Sequence, residues 1–184
     1  MSPIALQMCI TDDTPEALLV DSARHGDAAA FGRLYTLYSR MVHGILLARV
    51  PRSEVDDLAQ DVFLLAMRKL HTLRDSAAFG SWLAMVTRNR AIDYYRHKAD
   101  TDELPENLAC QAGSQPAGPQ MEAAAILALI QSLPEAYRET LVLRLVEGMT
   151  GPEIASRTGL THASVRVNLH RGMKQLREKI GAAV

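Results

Sequence analysis

Cysteine is almost absent from this 184-residue chain: its two cysteines, Cys9 and Cys110, stand far apart with no CxxC and no Cys/His ligand spacing. That excludes a disulfide framework and a recognisable zinc site, and it makes the cytoplasm the expected compartment. No run approaches the ~18 consecutive apolar residues of a membrane span. No basic segment followed by a hydrophobic stretch opens the chain, so neither membrane insertion nor export is expected. Alternating apolar and polar strand patterns are missing throughout, which leaves helices as the only regular element. Catalytic signatures are missing as well. The six histidines, the carboxylates and the cysteines form no set of nucleophile, base and orienting group, no glycine-rich phosphate loop and no HExxH. His25, His43 and His71 read as surface or packing residues, and neither an enzyme nor a cofactor is expected.

Net charge is also nearly absent, at −1, but the charges are unevenly placed. From Met1 to Ala30 the acids Asp12, Asp13, Glu16, Asp21 and Asp27 face Arg24 alone. From Gly151 to Val184 the bases Arg157, Arg166, Arg171, Lys174, Arg177 and Lys179 face only Glu153 and Glu178. A second cationic cluster, Arg88, Arg90, Arg96, His97 and Lys98, is offset by Asp93. Local patches of this kind point to a polyanionic partner, and equally to two solvated helix faces.

Helix punctuation divides the chain. Thr14, Pro15 and Glu16 read as cap, first turn and dipole-complementing acid of a helix that stops at Gly26. Asp27 caps a longer helix carrying Phe31, Leu34, Leu37, Tyr38, Met41, Val42, Ile45 and Leu46 at i, i+3, i+4 spacing until Pro51 ends it. Ser53 and Asp56 have capping-box spacing before the periodic run Val55, Leu58, Ala59, Val62, Leu65, Ala66 and Leu70. The period lapses over His71 to Ala78 and resumes from Phe79 toward Lys98. Residues 99–120 are acidic, without Lys or Arg, and broken by Gly and Pro, which predicts a flexible linker. A helix from Met121 to Gln131 follows, then one capped by Ser132 and Glu135 that ends at Gly148. Thr150 with Glu153 caps a short helix closed by Gly159, and Thr161 caps the last, which runs toward Ile180. The expected fold is all-α: two small helical domains, 1–98 and 121–184, joined by the acidic linker 99–120.

The pair of helices after Thr150 has helix-turn-helix spacing. On the longer one Val165, Leu169, Gly172 and Leu176 share a stripe, while Ala163, Arg166, Val167, His170, Lys174 and Arg177 face away with Ser164 and Arg171 on the flank. In a DNA major groove the small apolar groups fit thymine methyls and Arg166 fits guanine acceptors, whereas Arg171, Lys174 and Arg177 suit phosphates. A purely structural helical hairpin is the alternative. In the helix from Phe79, Asn89, Asp93 and Arg96 fall on one stripe that can meet bases or phosphates, or can amount to a surface Asp93–Arg96 pair. Trp82 reads as a core anchor rather than a base-stacking platform.

The runs DDLAQDVFLLAMRKL (Asp56–Leu70), FGSWLAMVTRNRAIDYYRH (Phe79–His97) and LPEAYRETLVLRLVEGMTGPEIASRTGLTHASVRVNLHRGMKQLREKI (Leu133–Ile180) together resemble regions 2 and 4 of bacterial sigma factors of the extracytoplasmic-function group. The resemblance covers most of the chain. It implies that Asp57, Gln60 and Asp61 contact the clamp helices of core RNA polymerase. It implies that the loop His71–Ala78 holds a flipped base of the minus-10 promoter element, with Arg88, Asn89, Asp93, Arg96 and Lys98 on the opened strand. It implies that Ser164, Arg166, Val167, His170, Arg171 and Lys174 meet the minus-35 element as duplex, and that the acidic linker threads the polymerase channel. Promoter DNA, core polymerase and an anti-sigma protein are the implied partners. Gly172 departs from the family, which more often has Ala there, and Pro152 stands in the first turn of its helix. Two other readings remain: a sigma-like decoy that binds an anti-sigma protein without DNA, and a free helix-turn-helix repressor. The retained bases disfavour the decoy, and the two region 2 matches are unexplained by the repressor.

Overall fold

A computed structural model describes residues 15–101 and 119–183. Thr14, both cysteines and the acidic stretch 102–118 lie outside the described residues. The described residues form eight α-helices: α1 (Glu16–Arg24), α2 (Ala28–Leu47), α3 (Val55–Lys69), α4 (Phe79–Thr101), α5 (Pro119–Gln131), α6 (Glu135–Leu145), α7 (Gly151–Thr158) and α8 (His162–Ala183). Among the described residues there is no strand. Helix therefore invades both ends of the expected linker, and Pro119, expected to break structure, stands in the first turn of α5, where its missing N–H costs nothing.

Several caps form where the side chains predict them. Asp27 accepts hydrogen bonds from the amides of Ala29 and Ala30 at 2.9 and 3.1 Å. Gly26 takes φ +93, a conformation only glycine adopts freely, and this lets α1 reverse into α2. Four expectations fail. Pro15 is itself the N-cap of α1 rather than part of its first turn. Ser53 lies inside a 3-10 turn, Arg52–Glu54, that runs directly into α3, so its hydroxyl turns to Glu54 (3.2 Å) and caps nothing. Ser132 donates back to the Leu129 carbonyl at 2.7 Å, closing α5, while Pro134 starts α6. That helix stops at Leu145, three residues before Gly148.

Helix α2 is the central rod. Leu34, Tyr38, Met41, Val42, Ile45 and Leu46 are buried along it, with α1, α3 and α4 packed around them. Leu37, expected in the same stripe, lies at its exposed edge. Trp82 packs partly buried against this core, its ring centroid 5.8 Å from that of Phe79, as expected of an anchor. The second group, α5 to α8, surrounds Ile130, Leu141, Val142, Leu143, Ile154, Val165 and Leu176.

The two groups share one continuous core, because α6 and α7 pack on α2 and α7 on α4. Missing side chains make the approach possible. A Cβ on Gly44 would stand 2.6 Å from Leu143 Cδ2, and one on Gly80 2.8 Å from the Arg157 carbonyl oxygen. Polar ties line the seam: the Arg157 guanidinium lies over the Tyr38 ring and donates to the Leu37 carbonyl, and Gln131 Nε2 donates to the Leu47 carbonyl at 2.9 Å.

Candidate nucleic-acid interface

The helix-turn-helix is built by its punctuation. Glu153 accepts from the Thr150 amide at 2.7 Å and from its hydroxyl at 2.8 Å, while Thr150 Oγ1 accepts from the Glu153 amide at 3.4 Å. Those backbone and side-chain hydrogen bonds hold the Glu153 carboxyl below its ordinary range. Gly159 turns the chain at φ +76 and sits so close to α4 that a Cβ there would lie 2.6 Å from Ser81 Cβ. Thr161 then caps α8, accepting from the Ser164 amide at 3.1 Å and donating to the Ser164 hydroxyl at 2.8 Å. Ser164 is thus exposed but already engaged in the cap.

On α8 the expected division of faces is present. Val165, Gly172 and Leu176 are buried, Leu169 is half-buried, and Ala163, Arg166, Val167, His170, Arg171, Lys174 and Arg177 are exposed. Val167 is 40% exposed, an apolar residue set among cations on the outward side. Gly172 has a packing role that the helix wheel does not show. A Cβ there would meet Leu141 at 3.0 Å and Tyr137 at 3.1 Å, so the glycine admits α6 against α8.

Helix α4 presents a different picture from the expected cationic face. Asn89, Arg96 and Lys98 are exposed, and Asp93 is partly so. Arg96 and Asp93 stand 3.9 Å apart, a loose surface pair. Arg88, expected on opened DNA, is instead turned into the seam. Its Nε and Nη2 donate to the two carboxylate oxygens of Glu139 on α6 at 3.1 and 2.7 Å. Arg90, from the same cluster, pairs with Asp61 on α3 at 2.5 Å.

Of the α3 candidates, Asp57, Gln60 and Asp61 are all exposed, and Asp61 has its charge partly met by Arg90. Beside them lies a groove of about 640 Å³ between α2 and α3, walled in part by Tyr35, Gln60, Leu64, Met67 and Glu147. Tyr35, Leu64 and Met67 are 50, 42 and 53% exposed. Sequence reasoning passed over these three; the available signal was that each falls off the apolar stripe of its own helix.

Two family models match the chain, Sigma-70 region 2 over residues 34–101 and Sigma-70 region 4 over residues 123–176. The RNA polymerase sigma factor CarQ of Myxococcus xanthus is 31% identical over 163 residues, 86% of this chain and 93% of that one. SigZ of Bacillus subtilis (strain 168), likewise an RNA polymerase sigma factor by name, is 33% identical over 128 residues, 69% of this chain and 73% of that one. The chain belongs to the extracytoplasmic-function sigma factors. RfaY of Xanthomonas campestris pv. campestris is 33% identical over 183 residues, and this sigma factor spans only 45% of its length. The sigma factor's fold is that of CnrH, solved in complex with the cytosolic domain of CnrY: TM-score 0.64 at 24% identity, covering 92% of this chain and 99% of that one. The sigma factor RpoE, in complex with the anti-sigma factor NepR from Bartonella quintana, has the same fold at TM-score 0.51 and 18% identity, over 82% and 94% of the two chains. No described helix of this sigma factor is long and apolar enough to cross a membrane.

Proposed function

We infer that this chain binds core RNA polymerase and directs promoter recognition, opening of the DNA and initiation of transcription. The observation that carries the reading is the capped helix-turn-helix, which presents Arg166, Val167, His170, Arg171 and Lys174 outward on α8. Its partner in the reading is a second, separate cationic helix that bears Asn89, Arg96 and Lys98. In this reading residues 1–98 hold polymerase and the minus-10 element, 121–184 hold the minus-35 element, and 99–120 connect them. Asp57, Gln60 and Asp61 offer acid to a basic clamp surface, and the apolar side chains of the adjoining groove seat the same partner. Arg166 reads bases near the start of α8, and Arg171 and Lys174 contact phosphates further along. The factor works in the cytoplasm and by binding alone, with no chemistry of its own. An anti-sigma protein is a further partner, since CnrH and RpoE, each with this fold, were solved in complexes.

Run-off transcription with core polymerase and a promoter library tests the function. Defined transcripts that require the chain are expected. Their absence, together with tight specific duplex binding by the free chain, would instead identify a repressor.

A further inference from the structure

The stretch His71–Ala78, where helical periodicity lapses, connects α3 to α4 through irregular backbone, whose polar groups need partners that no helix supplies. Two of those partners come from α1, 49 to 55 residues earlier in the chain. Arg24, the lone base of the acidic opening segment, sends Nη2 to the Leu73 carbonyl at 2.6 Å and to Ser76 Oγ at 3.4 Å. Its Nη1 donates to the Asp21 carboxylate at 3.2 Å, and the same carboxylate oxygen accepts from the Ser76 hydroxyl at 2.5 Å. Leu73 is buried, and Asp75 turns the chain by accepting from the Ala77 amide at 3.0 Å. The loop is thus clamped on both sides of Arg74 and Asp75, which stand exposed between the clamps.

Holding α1 in place does not require this network. That helix already buries Leu19 and Val20 against the core, and its Glu16 accepts from the Tyr38 hydroxyl. The Arg24 and Asp21 side chains are 25 and 47% exposed, and an ion pair so placed adds little to stability. What the network does is fix the backbone of a loop. A loop fixed before its ligand arrives loses no freedom on binding, which matters most where binding must also offset the extrusion of a base from its stack. We propose that Asp21 and Arg24 are positioning residues for promoter reading: they hold the loop His71–Ala78 in the shape that receives an extruded base of the opened strand, so that α1 tunes minus-10 specificity without touching DNA. The proposal rests on the sigma-factor reading, in which this loop takes that base, and deepens it. Both residues lie outside every DNA contact expected from the sequence.

The test uses holoenzyme assembled from the full chain and core polymerase, with open-complex formation measured on a promoter and on every single-base substitution of it. Arg24→Ala should reduce discrimination at one minus-10 position roughly fivefold, and should leave the other minus-10 positions, the minus-35 positions and capture by core polymerase as in the wild type. A loss spread evenly over all positions, or no loss, overturns the proposal. A mutant cycle with the loop shows whether the effect runs through it. Arg74→Gly with Asp75→Gly strips the exposed tip and should flatten the same position, and adding Arg24→Ala to that pair should bring no further loss. A further loss of the full size seen for Arg24→Ala alone overturns the proposal. Should Arg24→Ala not fold, Asp21→Ala decides: Arg24 keeps the Leu73 carbonyl and only Ser76 is released, so a loss of about twofold is expected at that position, and an unchanged ratio overturns the proposal. A stripped loop tip that leaves every minus-10 position unchanged, or a wild-type chain that supports no run-off transcript, would instead sink the reading beneath the proposal, an outcome distinct from those above.

Discussion

At the scale of single residues, Gly172 shows why a helix wheel is insufficient. Glycine inside a helix costs ~1 kcal/mol relative to alanine, so propensity favours Gly172→Ala. The Cβ would stand 3.0 to 3.1 Å from Leu141 and Tyr137, and Leu141 is fully buried. Overpacking of this kind costs about 1–3 kcal/mol. Gly172→Ala should therefore lower stability by roughly 1 kcal/mol net, read as a lower denaturation midpoint at unchanged m-value. A gain in stability would mean that α6 and α8 separate easily. Arg166 and Lys174, two turns apart on the exposed side of α8, are separated by chemistry. Arg166→Ala should cost ~1–3 kcal/mol on the cognate minus-35 element and much less on altered ones, whereas Lys174→Ala should weaken all duplexes alike and reduce the salt slope by about one. Holoenzyme binding across salt concentrations, with mutated promoters, distinguishes them.

At the scale of elements, local rules placed some helix boundaries and missed others. Gly26 and Gly159 stop their helices because a left-handed turn is needed there and a side chain would strain it. Thr150 and Glu153 close a true capping box, but Ser53–Asp56 and Ser132–Glu135, with the same kind of spacing, do not. Pro51 and Pro134 hold extended backbone just ahead of the following turns and settle where each begins, leaving the serines out of position. The face of α3 carries its own prediction. Asp57→Arg should abolish capture of the chain by immobilised core polymerase while shifting stability by no more than ~0.5 kcal/mol, as expected of an exposed site. Asp61 is the poorer probe: its reversal would set two guanidinium groups together at Arg90 and disturb the α3–α4 packing. Undiminished capture by Asp57→Arg removes this face from the interface.

At the scale of the whole molecule, two ion pairs across the seam titrate in opposite senses. Burial alone would raise the pKa of Glu139, but the Arg88 hydrogen bonds and the Arg49 charge outweigh it and hold the carboxyl below its ordinary 4.5. A lowered folded-state pKa stabilises closure above that ordinary value, and the contribution is lost as pH falls through the lowered one. His43, 2.6 Å from Glu147 on the other half, is raised above its ordinary 6.5 by that hydrogen bond, against burial, with Asp56 adding and Arg52 opposing. Its contribution is complete below 6.5 and disappears as pH rises through the raised pKa. Closure should thus be firmest between about pH 4.5 and 6.5 and should loosen on both sides. The radius of gyration by small-angle scattering, with helicity monitored by circular dichroism, reads this directly. Glu139→Gln should flatten the acid limb and His43→Ala the alkaline one, and a pH-independent radius would show that apolar contacts such as Leu143 on Gly44 close the seam unaided.

The sequence by itself determined the helices, the faces of α8, the acidic edge of α3 and the family, because each is written in spacings of three, four or seven residues or in contiguous motifs. Only the tertiary structure decided the partner of Arg88, the burial of Glu139, the place of Arg49 and the need for glycine at 44, 80 and 172. Arg88 and Glu139 are 51 residues apart in the chain, and Gly44 meets Leu143 across the seam. Helical periodicity fixes which side of a helix faces inward, but it carries no information about which other helix arrives there, since that depends on how two separately patterned groups dock.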